Sequence, residues 1–285
     1  MTIDPSFDLD EFIRRVLAED LGAGGDITSA ATIPADAQFT ASINCREAIV
    51  VAGVEVAGAF FRHLDPDVKV DRLVSDGDRS EAGTLMMRLT GNARAMLAAE
   101  RSALNTLQHL SGVATLTSRY WDAICHTSTI LLDTRKTIPG LRALDKYAAR
   151  MGGAQNHRMR LDDGVLIKDN HIAVCGSVGD AVRSALDVRT GLPVEVEVDR
   201  LDQIEEAIEA GAAALLLDNM DVGTLRQAVA LVAGRVPLEA SGGVNLDTIR
   251  GIAETGVDFI SVGRITQSAP AVDIGLDYEL QRPAG

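Results

Sequence analysis

Arg135 and Lys136 follow the apolar run TILLDT, and Lys168 closes the run GVLIK, so three cations stand where strand-like segments end. His157 and Arg158 lie between them, in a loop that follows Gly152 and Gly153. A buried cation without a partner costs ~3–5 kcal/mol, so acidic side chains or an anionic ligand must offset these charges. Arginine grips a carboxylate through two parallel hydrogen bonds, whereas lysine acts on phosphate as a point charge. Together Arg135, Lys136, Arg158 and Lys168 can hold two separate anionic groups.

Carboxylates accompany them. Glu195 and Glu197 lie two apart in PVEVEV and so point to one side of a strand, opposite Val194, Val196 and Val198; Asp218 ends the next apolar run. These acids can hold Mg²⁺ or a sugar hydroxyl, or they can neutralise Lys168 and Arg135. No histidine cluster joins them, which disfavours zinc. A two-carboxylate glycosidase fits the acids but not the cations beside them, which suit an anionic substrate. SGG at 241–243 and VGR at 262–264 follow the last two strand-like runs. Glycines there let backbone N–H groups approach a phosphate.

The elements that position these residues alternate. Six apolar runs, TILLDT, GVLIKDN, PVEVEV, AALLLDN, VPLEAS and DFISVG, are mostly followed by helical stretches, including 177–189, 201–210, 221–233 and 246–255. That rhythm predicts a parallel sheet with its chemistry at the C-terminal strand ends. Six strands in about 150 residues fall short of the roughly 250 residues of a full eight-unit barrel, so the expectation is an open or incomplete α/β barrel. Upstream, Leu9, Phe12, Ile13, Val16 and Leu17 predict an amphipathic helix over 8–20 that Gly22 can end. AQFTASIN, REAIVVAG, DVKVDRLV and TLMMRLTG read as strands and VEVAGAFFRHL as a helix, giving an N-terminal α/β domain over 1–107, joined by 268–285, and a barrel over 108–267. A helix over 94–110 places Glu100 near the middle of its apolar arc and Arg101 at its edge, which reads as an internal ion pair. Arg142, Lys146 and Arg150, four apart, read as a solvated helix face.

The formal net charge of −14 argues against general affinity for nucleic acid or an anionic membrane. Within it, residues 133–171 hold eight lysines and arginines against five aspartates, a focused cationic island. Three cysteines without CxxC spacing suggest neither a disulfide framework nor a zinc site and fit a reducing cytosol. The acidic start MTIDPSFDLDEF carries no apolar signal segment, and a soluble cytoplasmic protein is expected. No dinucleotide fingerprint, Walker loop, HExxH or GxSxG occurs.

DTRKTIPGLRALDKYA, GGAQNHR and LIKDNHI, followed by EVEV, LLLDN, SGG and VGRIT, closely resemble the quinolinate phosphoribosyltransferase family. EDLGAGGDITS, REAIVVAG, DGDRSEAGTLM and ERSALN look like its N-terminal domain, so the resemblance covers nearly the whole chain. It implies an N-terminal α/β sandwich, an open α/β barrel, and a homodimer or higher oligomer whose sites are shared between subunits. The implied reaction joins quinolinate to 5-phosphoribosyl 1-diphosphate with loss of CO₂, with Mg²⁺ accompanying the diphosphate. Carried over by motif, Arg101 from the partner, Arg135, His157, Arg158 and Lys168 would bind the quinolinate carboxylates. Thr134 and Lys136 would extend that site toward the diphosphate. Glu197 and Asp218 would hold the ribose and the metal, and would with Lys136 be the catalytic groups. Ser241, Gly242, Gly243, Gly263, Arg264 and Ile265 would cradle the phosphate. Arg160 stands where the family usually has a small residue, which would crowd the substrate loop, and Arg264 and Gln267 stand where Ala and His are common.

Three rivals remain at this level. One is a paralogous phosphoribosyltransferase for another heteroaromatic acid, another a Schiff-base lyase with Lys168 as nucleophile, and the third a phosphate-binding barrel without chemistry.

Overall fold

The computed structural model describes residues 2–278. Its residues form two units: one takes in those up to 116, then 143–152 and those from 269 onward, and the other 117–142 and 153–268.

In the first unit, the Asp8 carboxylate accepts from the Glu11 N–H at 2.9 Å and starts α1 (Leu9–Leu21), whose Ile13 and Leu17 are buried. Asp26 caps the short α2 (Ile27–Thr32) in the same way. β1 (Gln38–Cys45) buries Ala41, Ile43 and Cys45 and turns the residues between them outward, as its alternation predicts. β2 (Ile49–Val50) is short and leads into α3 (Val54–Leu64), which meets α1 through an edge-on contact of Phe60 with Phe12. β3 (Lys69–Arg72), β4 (Arg79–Ser80) and β5 (Leu85–Asn92) follow.

α4 (Ala93–Ile124) is much longer than 94–110. Gly112 within it is a point of close packing: a Cβ there would lie 2.1 Å from the Pro270 carbonyl oxygen. Ser111 and Thr115 on this helix accept from the backbone N–H groups of Ala52 and Val50, at 3.1 and 2.8 Å. This continuous helix carries the first unit to residue 116, past the expected boundary at 107. Arg101 is exposed and makes no ion pair with Glu100 among the described residues.

In the second unit, β6 (Ile130–Leu132) opens a six-stranded parallel sheet. α5 (Arg142–Met151) then interrupts it, with residues 143–152 belonging to the first unit. Lys146 and Asp145 on α5 are fully buried and both have partners, so the expected solvated face is corrected at Lys146. The barrel resumes with β7 (Val165–Ile167), α6 (Asp169–Cys175), α7 (Val178–Asp187), β8 (Val194–Val198), α8 (Asp202–Glu209), β9 (Ala214–Asp218), α9 (Val222–Val232), β10 (Leu238–Ser241), α10 (Ile249–Ala253), β11 (Phe259–Ser261) and α11 (Arg264–Gln267). Val194, Val196, Val198 and Leu215 to Leu217 are buried in its core. The sheet runs β6-β11-β10-β9-β8-β7, so β6 and β7 are its two edges and the barrel is open. Gln155 lies along β6 as a one-residue bridge, its N–H donating to the Leu131 carbonyl at 2.8 Å and its carbonyl accepting from Asp133 N–H at 3.1 Å.

β12 (Ile274–Tyr278) returns to the first unit and completes an antiparallel sheet of order β12-β1-β5-β3, beside the two-stranded sheet of β2 and β4. The rest of the C-terminal segment, 279–285, lies outside the described residues. No helix among the described residues is long and apolar enough to cross a membrane.

Candidate active site

The C-terminal strand ends of the second unit surround a pocket of about 570 Å³. After β6 come Thr134, Arg135 and Lys136; after β7, Lys168; from β8, Glu197; from β9 and its end, Leu216, Asp218 and Asn219; from β10 and its turn, Glu239 and Ser241 to Gly243; and from β11, Ser261. His157, Arg158 and Leu166 complete the wall. Parallel pairing sets these side chains level, since Ser241 is in register with Asp218 and Glu239 with Leu216.

The cations are balanced unevenly. Lys168 Nζ donates to Glu197 Oε2, so the ammonium is held by a carboxylate and is half exposed. Glu197 thus neutralises Lys168, one of the two arrangements that the sequence left open. Arg135 is different: its Nε is buried and has no hydrogen-bond partner among the described residues. Beside it, burial and then the charge of Arg135 lower the pKa of Arg158. Arg158 Nη1 donates to the Gly164 carbonyl at 2.7 Å, a neutral partner. Two neighbouring guanidiniums therefore line the cavity, Arg135 with an unpartnered buried Nε and Arg158 with the charges of Asp163 and Glu195 near it.

The loop that carries Arg158 is fixed from below. Asp133, fully buried, accepts from the His157 backbone N–H at 2.9 Å and from Asn156 Nδ2 at 2.5 Å. His157 Nε2 faces Glu195 Oε2 at 3.3 Å and Glu239 Oε2 at 3.4 Å, while Nδ1 accepts from the Arg158 N–H at 2.7 Å. Burial lowers the His157 pKa, but the hydrogen bonds and charges of the two carboxylates overcome it and push the value up to about 9. The Arg158 N–H aimed at Nδ1 opposes the second proton. Full protonation would need Nδ1 to give up that contact, so the carboxylate charges and the Arg158 N–H pull the ring in opposite directions. In either state the proton between the carboxylates sits on Nε2. His157, Glu195 and Glu239, whose donor atoms lie within 4.8 Å of one another, are therefore a hydrogen-bonded unit without a free nitrogen for a metal.

Glu197 and Asp218 fit a hard cation better. Burial first, and the Glu197 charge second, raise the Asp218 pKa, against Asn219, Lys168 and Lys136, which lower it. Two carboxylates that repel each other at a cavity wall are the oxygen donor set that Mg²⁺ takes.

Of the residues singled out by sequence, Thr134, Arg135, Lys136, His157, Arg158, Lys168, Glu197, Asp218 and Ser241 to Gly243 meet at this pocket. Arg101, Gly263, Arg264 and Ile265 are not among its lining residues. Gly263 backs it, since a Cβ there would lie 2.7 Å from Lys136 Cδ; Arg264 points to solvent and the Ile265 side chain is fully buried. Arg160 turns to Asp162, at 3.2 Å, and does not crowd the pocket. Asn219, Glu239 and Ser261 are additions. The first two stood at strand ends in the sequence, and Ser261 is a lone hydroxyl in the apolar run DFISVG, two residues before Gly263.

Comparison with known proteins agrees with this geometry. The N-terminal domain model of quinolinate phosphoribosyl transferase matches residues 26–111, and the C-terminal domain model matches 113–277. The nicotinate-nucleotide pyrophosphorylase [carboxylating] of Mycobacterium leprae is 45% identical over 273 residues, covering 93% of this chain and 95% of the relative. The chloroplastic enzyme of that name from Arabidopsis thaliana is 41% identical, covering 99% and 86%. The solved nicotinate-nucleotide pyrophosphorylase of Francisella tularensis superposes with a TM-score of 0.92 at 40% identity, covering 98% of this chain and all of that one (100%). With both domain models matched in order and the open barrel presenting the matched motifs at one mouth, the chain belongs to the quinolinate phosphoribosyl transferase family, a family of decarboxylating pentosyltransferases.

Proposed function

We propose that the chain transfers the phosphoribosyl group of 5-phosphoribosyl 1-diphosphate to quinolinate with loss of CO₂, giving nicotinate mononucleotide and diphosphate for NAD biosynthesis. The observation that carries this reading is the Arg135 and Arg158 pair, adjacent guanidiniums with a buried Nε lacking a partner, at the strand ends of this family's barrel. A dicarboxylate supplies the charge they lack.

Arg135, Arg158 and Lys168 hold the carboxylates, and His157 sets Arg158 through its backbone. Thr134 and Lys136 reach the diphosphate side, while Ser241, Gly242 and Gly243 cradle the 5′-phosphate with backbone N–H groups. Gly263, Arg264 and Ile265 would complete that cradle, as the family resemblance implies. Glu197 and Asp218 hold the ribose and would hold Mg²⁺, which supplies charge neutralisation to the departing diphosphate.

As diphosphate leaves, ribose C1 becomes oxocarbenium-like, and the Glu197 and Asp218 carboxylates stabilise that charge. The ring nitrogen of quinolinate, held in line by the arginines, then donates its electron pair to C1. The ring is now a pyridinium. Its positive charge stabilises the electron pair left on C2 when the adjacent carboxylate departs as CO₂, and one proton on C2 completes the product. No base is required for that loss.

The same reading makes the protein a cytoplasmic homodimer in which the partner's Arg101 completes each site. The exposure of Arg101 on α4 supports the shared site, and three cysteines without CxxC spacing suit a reducing compartment. Incubation with both substrates and Mg²⁺ should release one CO₂ per diphosphate, and nicotinate should be turned over at least ~10-fold less well, because it forfeits one charge-assisted contact. Equal turnover of the two acids would sink the assignment.

A further inference from the structure

We propose that Asn219 is a positioning residue that holds the Asp218 carboxylate and the Ser241–Gly243 turn in one fixed arrangement. Asn219 follows β9 directly and has φ of 55°, in the left-handed region that asparagine and glycine tolerate and most side chains avoid. This backbone turn folds the side chain toward its own strand end. Nδ2 donates to Asp218 Oδ2 at 2.6 Å, and the Asn219 backbone N–H donates to the Ser241 carbonyl at 2.9 Å. The opposite orientation of the amide would press one acceptor against another, so the NH₂ group faces the carboxylate.

The other side of the amide lies on Gly242. A Cβ at Gly242 would stand 2.3 Å from Asn219 Oδ1, 2.6 Å from its Cγ and 2.8 Å from its backbone nitrogen, and Gly242 itself has φ of +89°. Glycine at 242 is therefore fitted to Asn219 as well as to its own turn. One residue links an acid at the end of β9 with the glycine turn after β10. Sheet pairing alone stops at the Ser241 and Asp218 pair; Asn219 extends the alignment to the side chains.

This rests on the reading that Asp218 and the 241–243 turn handle the phosphoribosyl substrate. Asn219→Gly keeps the backbone conformation and removes the donor, whereas Asn219→Asp keeps shape and left-handed tolerance but sets a carboxylate against Asp218. Both variants should fold and melt with the wild type. kcat/KM for 5-phosphoribosyl 1-diphosphate should fall about fivefold to tenfold in Asn219→Gly and further in Asn219→Asp, while KM for quinolinate stays unchanged. Wild-type kinetics in Asn219→Asp, an equal rise in both KM values, or unfolding of both variants overturns the positioning role. Asp218→Asn separates the two claims: if it leaves phosphoribosyl diphosphate kinetics intact, the underlying reading of Asp218 fails; if it is impaired while both Asn219 variants are normal, only the inference about Asn219 fails.

Discussion

Lys168 at the end of β7 and Glu197 on the neighbouring β8 form an ion pair at the pocket wall, with the lysine half exposed and the glutamate almost buried. Under the proposed function, a substrate carboxylate arriving at Lys168 would compete with the Glu197 oxygen for the ammonium.

Lys168→Met should abolish quinolinate turnover and lower stability by about 1–2 kcal/mol, because it strands a buried carboxylate; the value is discounted from that of a fully buried pair because Lys168 is solvated. Adding Glu197→Gln should restore the melting temperature without restoring activity. A single variant as stable as the wild type would show that the pair contributes nothing to the fold.

The His157 unit makes stability depend on pH. Its folded pKa, about 9, lies above the ordinary value of 6.5, so its stabilisation is complete below about pH 6.5 and is lost as pH rises through about 9. Urea midpoints should fall across that window. The Glu195→Gln, Glu239→Gln double variant should lose most of this slope, and an unchanged slope would assign it to other groups.

Gly263→Ala should fold normally, since this glycine has φ of −66° and the nearest atom, Lys136 Cδ at 2.7 Å, belongs to a flexible side chain. Lys136 must then move. kcat should fall about tenfold with little change in melting temperature, the cost of displacing one charged contact; wild-type kcat would show that Lys136 tolerates displacement.

Arg101→Ala and Lys168→Ala should each be nearly inactive. With the proposed shared-site dimer, unfolding the two together and refolding them at equal concentration should make about half of the dimers mixed, each with one site intact, and recover about a quarter of wild-type activity. If exchange is demonstrated and activity does not return, Arg101 acts within its own chain.

What the sequence made legible was local. VEVAGAFFRHL folds as the helix it reads as, Val54–Leu64, and the strand-end charges converge on one mouth because parallel pairing forces them to. What stayed hidden depends on distant partners. The helix read over 94–110 runs on past Gly112, which packs against Pro270, and Lys146 reads as solvated because a four-residue spacing carries no information about what covers a helix. His157 is joined to Glu195 and Glu239 across 38 and 82 positions of chain, a grouping that no spacing rule encodes. Asn219 was visible as a letter in LLLDN, but its φ was not.

The opening between β6 and β7 has a consequence for how the barrel breathes. β7 is hydrogen-bonded to a strand on one side only, and α6, which follows it, buries none of its residues. Amide protons on Val165–Ile167 should therefore exchange with deuterium ahead of those in β8, β9 and β10, which have neighbours on both sides. Lys168 directly follows that edge strand, while Asp218 and Ser241 end β9 and β10, which have strands on both sides. Quinolinate should thus slow exchange mainly at the seam, and the phosphoribosyl substrate should leave the exchange of the barrel strands nearly as it was.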